Sequence, residues 1–210
     1  MTGDPLEQRP SGLRIAETEA ERDACYALRY RVFMEELGFD IATADHERKL
    51  ERTPEDSSAA QLYVSIGAEV IATMRLHHGS SSDLLPHFRE GFEFLHRLLP
   101  DTPIDQMVSI GRLAVDPRHR GGSAIAPLFQ GAIRFLQERY PATSLAFIFG
   151  VDEPKRIAFY QFLGFRPLYQ HLGIQSVGPE LQLRLDIGVC VPLIKRIVFA
   201  EAPKAAAKTI

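Results

Sequence analysis

The chain has 210 residues, 45% hydrophobic and 24% charged, with a formal net charge of -3. At roughly 100–200 residues per domain this fits one large domain or two small ones, and the apolar fraction excludes a disordered chain. Two cysteines, Cys25 and Cys190, exclude a disulfide scaffold and leave either one bridge or two buried thiols. The opening MTGDPLEQRPSG mixes charge with Pro and Gly and has no apolar core, unlike a signal peptide. The longest nearly uncharged apolar runs, such as Ile187–Ile194, are too short to cross a bilayer. A cytoplasmic protein without a membrane span is expected, with a flexible leader over 1–12, one domain over 13–200 and a tail over 201–210.

A short strand is predicted at Leu13–Glu17. A helix follows, opened by Thr18 as N-cap with Glu21 three residues on, running to about Leu37 and stopping at Gly38. Residues 40–60 are charged and read as a loop. Gln61–Ile66 and Val70–Leu76 read as strands turned at Gly67–Glu69. Pro86–Leu99 carries Phe88, Phe92, Leu95 and Leu99 at helical spacing, as a core-packing helix or a cover over a bound apolar group. Asp105–Val115 alternates like a long strand and ends at Asp116–Pro117. The turn Gly121–Gly122 leads into an amphipathic helix with Ile125, Leu128, Phe129, Ala132, Ile133 and Leu136 on one stripe. Ser144–Phe149 reads as a buried strand and Pro154–Leu163 as a short helix closed by Gly164. Two more strands are predicted around Phe165–Leu172 and Leu181–Ile187. The alternation points to one α/β domain.

The most informative stretch is Gly111–Ser123, GRLAVDPRHRGGS. A strand ends, an Arg/Gly turn follows and a helix begins, so unpaired helix N–H groups lie beside arginines: a cradle for phosphate. A glycine pair alone is equally an ordinary tight turn with solvated arginines. From Gly111 to Arg139 the cations Arg112, Arg118, Arg120, Arg134 and Arg139 exceed Asp116 and Glu138, which suits phosphates, the acidic helix of a partner, or only a solvated basic face. No aromatic residues interleave with them, so nucleic acid is not expected. His77, His78, His87 and His96 lack a matching second ligand pair, and no metal is expected.

Val115, Pro117, Arg120 and Gly121 resemble the acyl-CoA-binding motif of GNAT-type N-acyltransferases, and Ile157–Phe165 resembles the second motif, a helix ending in Tyr-x-x-x-Gly-Phe. Arg29-x-x-Val32-Phe33 with Leu37-Gly38-Phe39 resembles the opening of autoinducer (acyl-homoserine-lactone) synthases, N-acyl amino acid synthases and ornithine-lipid N-acyltransferases. Ala72-Thr-Met-Arg-Leu76 and Ser109-Ile-Gly-Arg-Leu113 resemble two further strands of these proteins, and the likeness spans about residues 25–168. It implies a GNAT fold: a central mixed β-sheet flanked by helices, with an N-terminal helical flap. It also implies an acyl-phosphopantetheine thioester as donor, from an acyl carrier protein or as acyl-CoA, no tightly bound cofactor, and a small-molecule amine as acceptor.

Carried over by position, Leu113, Ala114, Val115, Arg118, Arg120, Gly121, Gly122 and Ser123 would hold the donor. A strand N–H near Ala114 or Val115 would hold the oxyanion. Tyr160 matches the thiolate-protonating position and is equally a core aromatic. Arg29 and Phe33, at i and i+4, share a helix face. With Phe39, Arg75 and the loop carboxylates Asp45 and Asp56 they would form the substrate side. Arg75 and Arg112, flanked by apolar strand residues, suit a partly buried paired role as well as a solvated one.

Two departures matter. Ser123 and Ile125 stand where acetyl-CoA users carry small residues, and Ile125 narrows the room for a diphosphate. Ser109 stands where these relatives usually have Glu as base or orienting group, and serine is no strong base at neutral pH. The expected function is transfer of a medium or long acyl chain to the amine of an amino acid or related metabolite, with Ser109, Arg112 and Tyr160 at the reacting centre. The alternatives are an acetyl-CoA-dependent N-acetyltransferase, or a degenerate module that binds carrier protein or metabolite without turnover.

Overall fold

The computed structural model describes residues 12–120, 124–149, 154–162, 165–167 and 188–192. The first helix begins as the sequence dictates. Thr18 Oγ accepts from the Glu21 N–H while the Glu21 carboxylate accepts from the Thr18 N–H, a complete capping box. Helix α1 spans Glu19–Tyr30, and Arg31–Glu36 widens into a π-turn. Gly38 then takes φ +69°, the left-handed conformation that ends a helix most cheaply with glycine. The predicted single helix to Leu37 is thus an α-helix with a π-helical end, a deformation with no periodicity signature in the sequence.

Strands β1 (Arg14–Ile15), β2 (Ala60–Ile66), β3 (Glu69–His78), β4 (Met107–Val115), β5 (Leu145–Phe149), β6 (Arg166–Pro167) and β7 (Gly188–Pro192) form one sheet, ordered β1-β2-β3-β4-β5-β7-β6. All pairings are antiparallel except β4–β5, so the sheet is mixed, as expected. The strand predicted at Leu181–Ile187 lies outside the described residues, and the described strand in that region is Gly188–Pro192. Residues 1–11 of the expected leader, the expected tail over 201–210, Gly164 and residues 121–123 also lie outside them.

Side-chain alternation along the strands sorts the sheet into two chemically different faces. One face puts Leu62, Met74, Leu76, Val108, Ile110 and Ala146 into the main core, closed by Leu128, Ala132 and Leu136 of helix α3 (Ile125–Arg139). The other carries Gln61, Thr73, Arg75, His77 and Ser109, all buried, beneath α1 and helix α2 (Pro86–Leu98). On that side Cys25 and Leu28 of α1 and Val32 of the π-turn pack against Tyr63 and Ala114, and α2 packs Phe92 and Leu95 against Met107, Leu145 and Phe147. Polar residues in a sheet interior need partners, and these partners define the site.

Candidate active site

Two irregularities open the middle of the sheet. The parallel register of β4 with β5 stops at Ser109↔Phe147, and the end of β4 continues beyond it toward Val115. In the same stretch the β3–β4 register shifts between Thr73 and Arg75, and Arg112 takes φ +51°. A non-glycine residue in the left-handed region costs of order 1–3 kcal/mol and persists only where its surroundings over-determine it. A cleft of about 780 Å³ fills the gap. Its floor is Ser109–Leu113, Val115 and Ile148, and Phe159 and Tyr160 from helix α4 (Pro154–Phe162) form one wall. Val32, Phe33, Leu37 and Phe39 from the π-turn and the residues after it form the opposite wall, with Phe33 and Phe39 stacked at 6.1 Å.

Behind the floor lies a charge network. Arg29, fully buried, donates from Nη1 to Asp56 Oδ1 at 2.7 Å and from Nη2 to Oδ2 at 3.1 Å, and also ion-pairs with Glu51 and donates to Gln61 Oε1. Arg75 Nη1 donates to the same Asp56 Oδ1 at 3.1 Å and to Thr53 Oγ at 2.8 Å. The Thr53 N–H closes the fork on Asp56 Oδ2 at 2.8 Å. Burial pushes the Asp56 carboxyl up, but hydrogen bonds and charge from Arg29, with Arg75 and the Thr53 N–H, outweigh it, so its pKa falls below the usual value. Burial likewise pulls Arg29 down, and Asp56 and Glu51 reverse the direction. For Arg75 burial prevails, because it shares Asp56 with Arg29 and has Arg29 and Arg112 as like-charged neighbours. Arg112 reaches forward from its strained position to Glu51 Oε1 at 3.5 Å and lies 5.9 Å from the centre of the Phe33 ring.

The structure therefore brings Phe33, Phe39, Arg75, Ser109, Arg112, Leu113, Val115, Arg120 and Tyr160 to the cleft, and sets Arg29 and Asp56 directly behind it. Tyr160 is also packed edge-on to Phe159 and Phe165. Three expected site residues lie elsewhere. Ala114 turns its side chain under α1. Arg118 bonds Asp116 and Glu69 rather than lining the cleft. Asp45 closes a turn: its backbone pairs with Leu50 in both directions and its Oδ1 accepts the Arg48 N–H at 2.9 Å. That turn delivers Glu51 instead, fully buried and tied through its N–H to Tyr26 O at 3.1 Å. Glu51 has no sequence signal that separates it from the solvated charges around it in HERKLERTPED. Gly121, Gly122 and Ser123 lie outside the described residues.

Cys25 is a free, buried thiol whose pKa burial pushes up to about 11, so it is no nucleophile. Cys190 stands on β7 in register with Phe147. Among the described residues no three His, Cys, Asp or Glu side chains are placed to hold a metal ion, and no helix is long and apolar enough to cross a membrane.

The acetyltransferase (GNAT) domain family matches residues 28–130. The N-acyl amino acid synthase FeeM from uncultured soil microbes superposes with a TM-score of 0.56 at 19% identity, covering 88% of this chain and 90% of that one. This chain has the GNAT fold. A CoA-dependent acyl-homoserine lactone synthase, BjaI, shares the GNAT fold at a TM-score of 0.53 and 17% identity over 82% of this chain and 76% of that one. In sequence, this chain is 29% identical over 126 residues to an L-ornithine N(alpha)-acyltransferase of Rhizobium meliloti, covering 56% of this chain and 43% of the relative. A second protein so described, from Rhodobacter capsulatus, is 29% identical over 150 residues, covering 66% of this chain and 54% of its own length. The chain spans about half the length of the curated relatives it matches.

Proposed function

We propose that this protein is an N-acyltransferase that moves a medium or long acyl chain from a phosphopantetheine thioester to the amine of an amino acid or related metabolite. The observation that carries the reading is the cleft itself: about 780 Å³, walled by Val32, Phe33, Leu37, Phe39 and Phe159, with arginines at its floor. An apolar cavity of that size suits a chain longer than acetyl, and an amine attacking a thioester needs placement and exclusion of water more than a strong base.

The backbone supplies the electrophilic side. The Asp116 N–H donates to Ile71 O on β3 at 2.9 Å. Alternation in an antiparallel ladder then turns the Val115 N–H and C=O the other way, toward the open side, where Val115 O accepts from Arg120 Nε at 3.2 Å. The Val115 N–H is thus aimed where a thioester carbonyl would develop negative charge. The substrate nitrogen bonds to the acyl carbon, the tetrahedral oxyanion collapses, and the carbon–sulfur bond breaks. The thiolate leaves with a proton from Tyr160 on the α4 wall, the nitrogen releases one proton to solvent or to a water beside Ser109, and Tyr160 recovers its proton from solvent. Arg112, partly exposed to the cleft and held only at 3.5 Å by Glu51, is placed to receive the carboxylate of an amino-acid acceptor. The ornithine acyltransferase relatives make the α-amine of ornithine the first acceptor to try.

The test is to offer the purified protein acyl-carrier and acyl-CoA thioesters from acetyl to palmitoyl with a panel of amino acids, reading thiol release and N-acyl product by mass spectrometry. Product from the longer donors is expected. Binding without thiol release would leave a degenerate module, and product from acetyl-CoA alone would replace the long-chain reading.

A further inference from the structure

Both described arginines of the turn after β4 are occupied by this protein's own carboxylates. Arg118 bonds Asp116 from its backbone N–H and its guanidinium and ion-pairs with Glu69. Arg120, which lines the cleft, is gripped as a fork by Glu36: Nη1 to Oε1 at 2.5 Å and Nη2 to Oε2 at 2.6 Å. Glu36 is the last residue of the π-turn in the flap, so this pair ties the flap to the turn at the cleft mouth. Arg31 adds a third cation, 3.6 Å from the same Asp116. Three arginines meet three carboxylates here, and the basic mouth expected from the linear count of charges is locally neutral. Ile125, the first residue of α3, also lines the cleft with a branched side chain.

Glu36 takes the Nη1–Nη2 edge of Arg120 and Val115 O takes its Nε at 3.2 Å, so neither edge of the guanidinium is left for a bidentate phosphate. We propose that Glu36 is a donor-specificity residue. By occupying Arg120 it withholds that cation from the diphosphate of acyl-CoA, and the protein favours donors whose pantetheine hangs from a single phosphodiester, as on a carrier protein. The inference rests on the thioester reading of the cleft. A donor with several phosphate charges must displace Glu36 or sit against it, whereas a pantetheine arm with one charge, anchored on a protein, does not need the Arg120 edge.

The experiment measures binding first, so that it does not depend on turnover. Dissociation constants for CoA and for phosphate-free pantetheine are compared between the wild type, Glu36→Gln, Glu36→Asp and Glu69→Gln, with circular dichroism to show that each is folded. Releasing one charge-assisted pair predicts about tenfold tighter CoA binding for Glu36→Gln, a gain that shrinks as salt rises. Pantetheine affinity is unchanged, Glu36→Asp behaves as wild type, and Glu69→Gln does too because Arg118 keeps Asp116. The ratio of kcat/KM for acyl-CoA to that for the acyl-carrier donor shifts the same way. Equal CoA affinity in wild type and Glu36→Gln, with thiol release intact, overturns this inference alone. Failure of both CoA and pantetheine to bind any of the proteins overturns it together with the transferase reading.

Discussion

Arginines meet carboxylates in two regions of this protein, beneath the flap and at the cleft mouth, and the two regions differ in their access to water. Beneath the flap Arg29, Glu51 and Asp56 are almost fully removed from solvent, and every charge depends on its neighbours for the solvation it has lost. At the mouth the side chains of Arg118 and Arg120 are 62% and 44% exposed. Removing one partner there costs the fold little, since Glu36 and Glu69 stay within reach of water and the buried Asp116 keeps Arg31 and the N–H of residue 118. The buried set fixes where the flap and the strand floor sit. The exposed set leaves the fold alone and decides what may enter.

The sharpest way to break this contrast is Asp56→Ala, which leaves Arg29 and Arg75 facing each other without their shared anion. A loss of about 3–5 kcal/mol in urea unfolding is expected; a loss within the range of ordinary surface substitutions would dissolve the distinction. Next in size is Arg112→Gly. Glycine accepts φ +51° without strain, so the fold should hold while the cleft loses its guanidinium. N-acyl product formation should drop about ten- to hundredfold in kcat/KM, as for one charged hydrogen bond. Unchanged turnover would remove Arg112 from the site.

The pH dependence separates the network from its neighbour His77. Burial, with the Arg75 charge, pulls the His77 pKa down to about 4, only partly offset by its hydrogen bond to Glu55 O. An unfolded histidine takes up its proton near pH 6.5, so between about 6.5 and 4 the unfolded chain binds more protons and stability falls as pH falls. Asp56, lowered in the fold, adds a second loss below the ordinary carboxylate range. His77→Gln should shrink the first window in pH-dependent melting, leaving the part due to His78, whose pKa burial also lowers, and keep the second. The smallest effect belongs to the mouth: Arg118→Ala should lower the melting midpoint only slightly, because the buried Asp116 keeps the N–H of residue 118 and Arg31, and a large drop would mean that the mouth pairs stabilise the fold after all.

The strand–turn–helix run after Met107 was legible because it is a local pattern of period and spacing. The partner of Arg29 was half legible. Asp56 sits in a Thr53–Asp56 capping box, a local signal. Glu51 owes its burial to the Asp45–Leu50 turn, and a charged run looks the same whether one of its members is buried or not. Asp45, equally acidic and six positions earlier, closes the turn instead. The neutral mouth was hidden for the same reason, since Glu36 and Glu69 lie 84 and 49 residues from the arginines they hold.

By itself the sequence determined the α/β order of elements, the capped first helix, the Gly38 stop and the motif that marks the GNAT fold, because these depend on residues a few positions apart. Only the tertiary structure decided which charges lose water, where β4 parts from β5, and that the arginines at the mouth are already paired. Burial and electrostatics are sums over everything nearby in space, and the chain brings those neighbours together only when it folds.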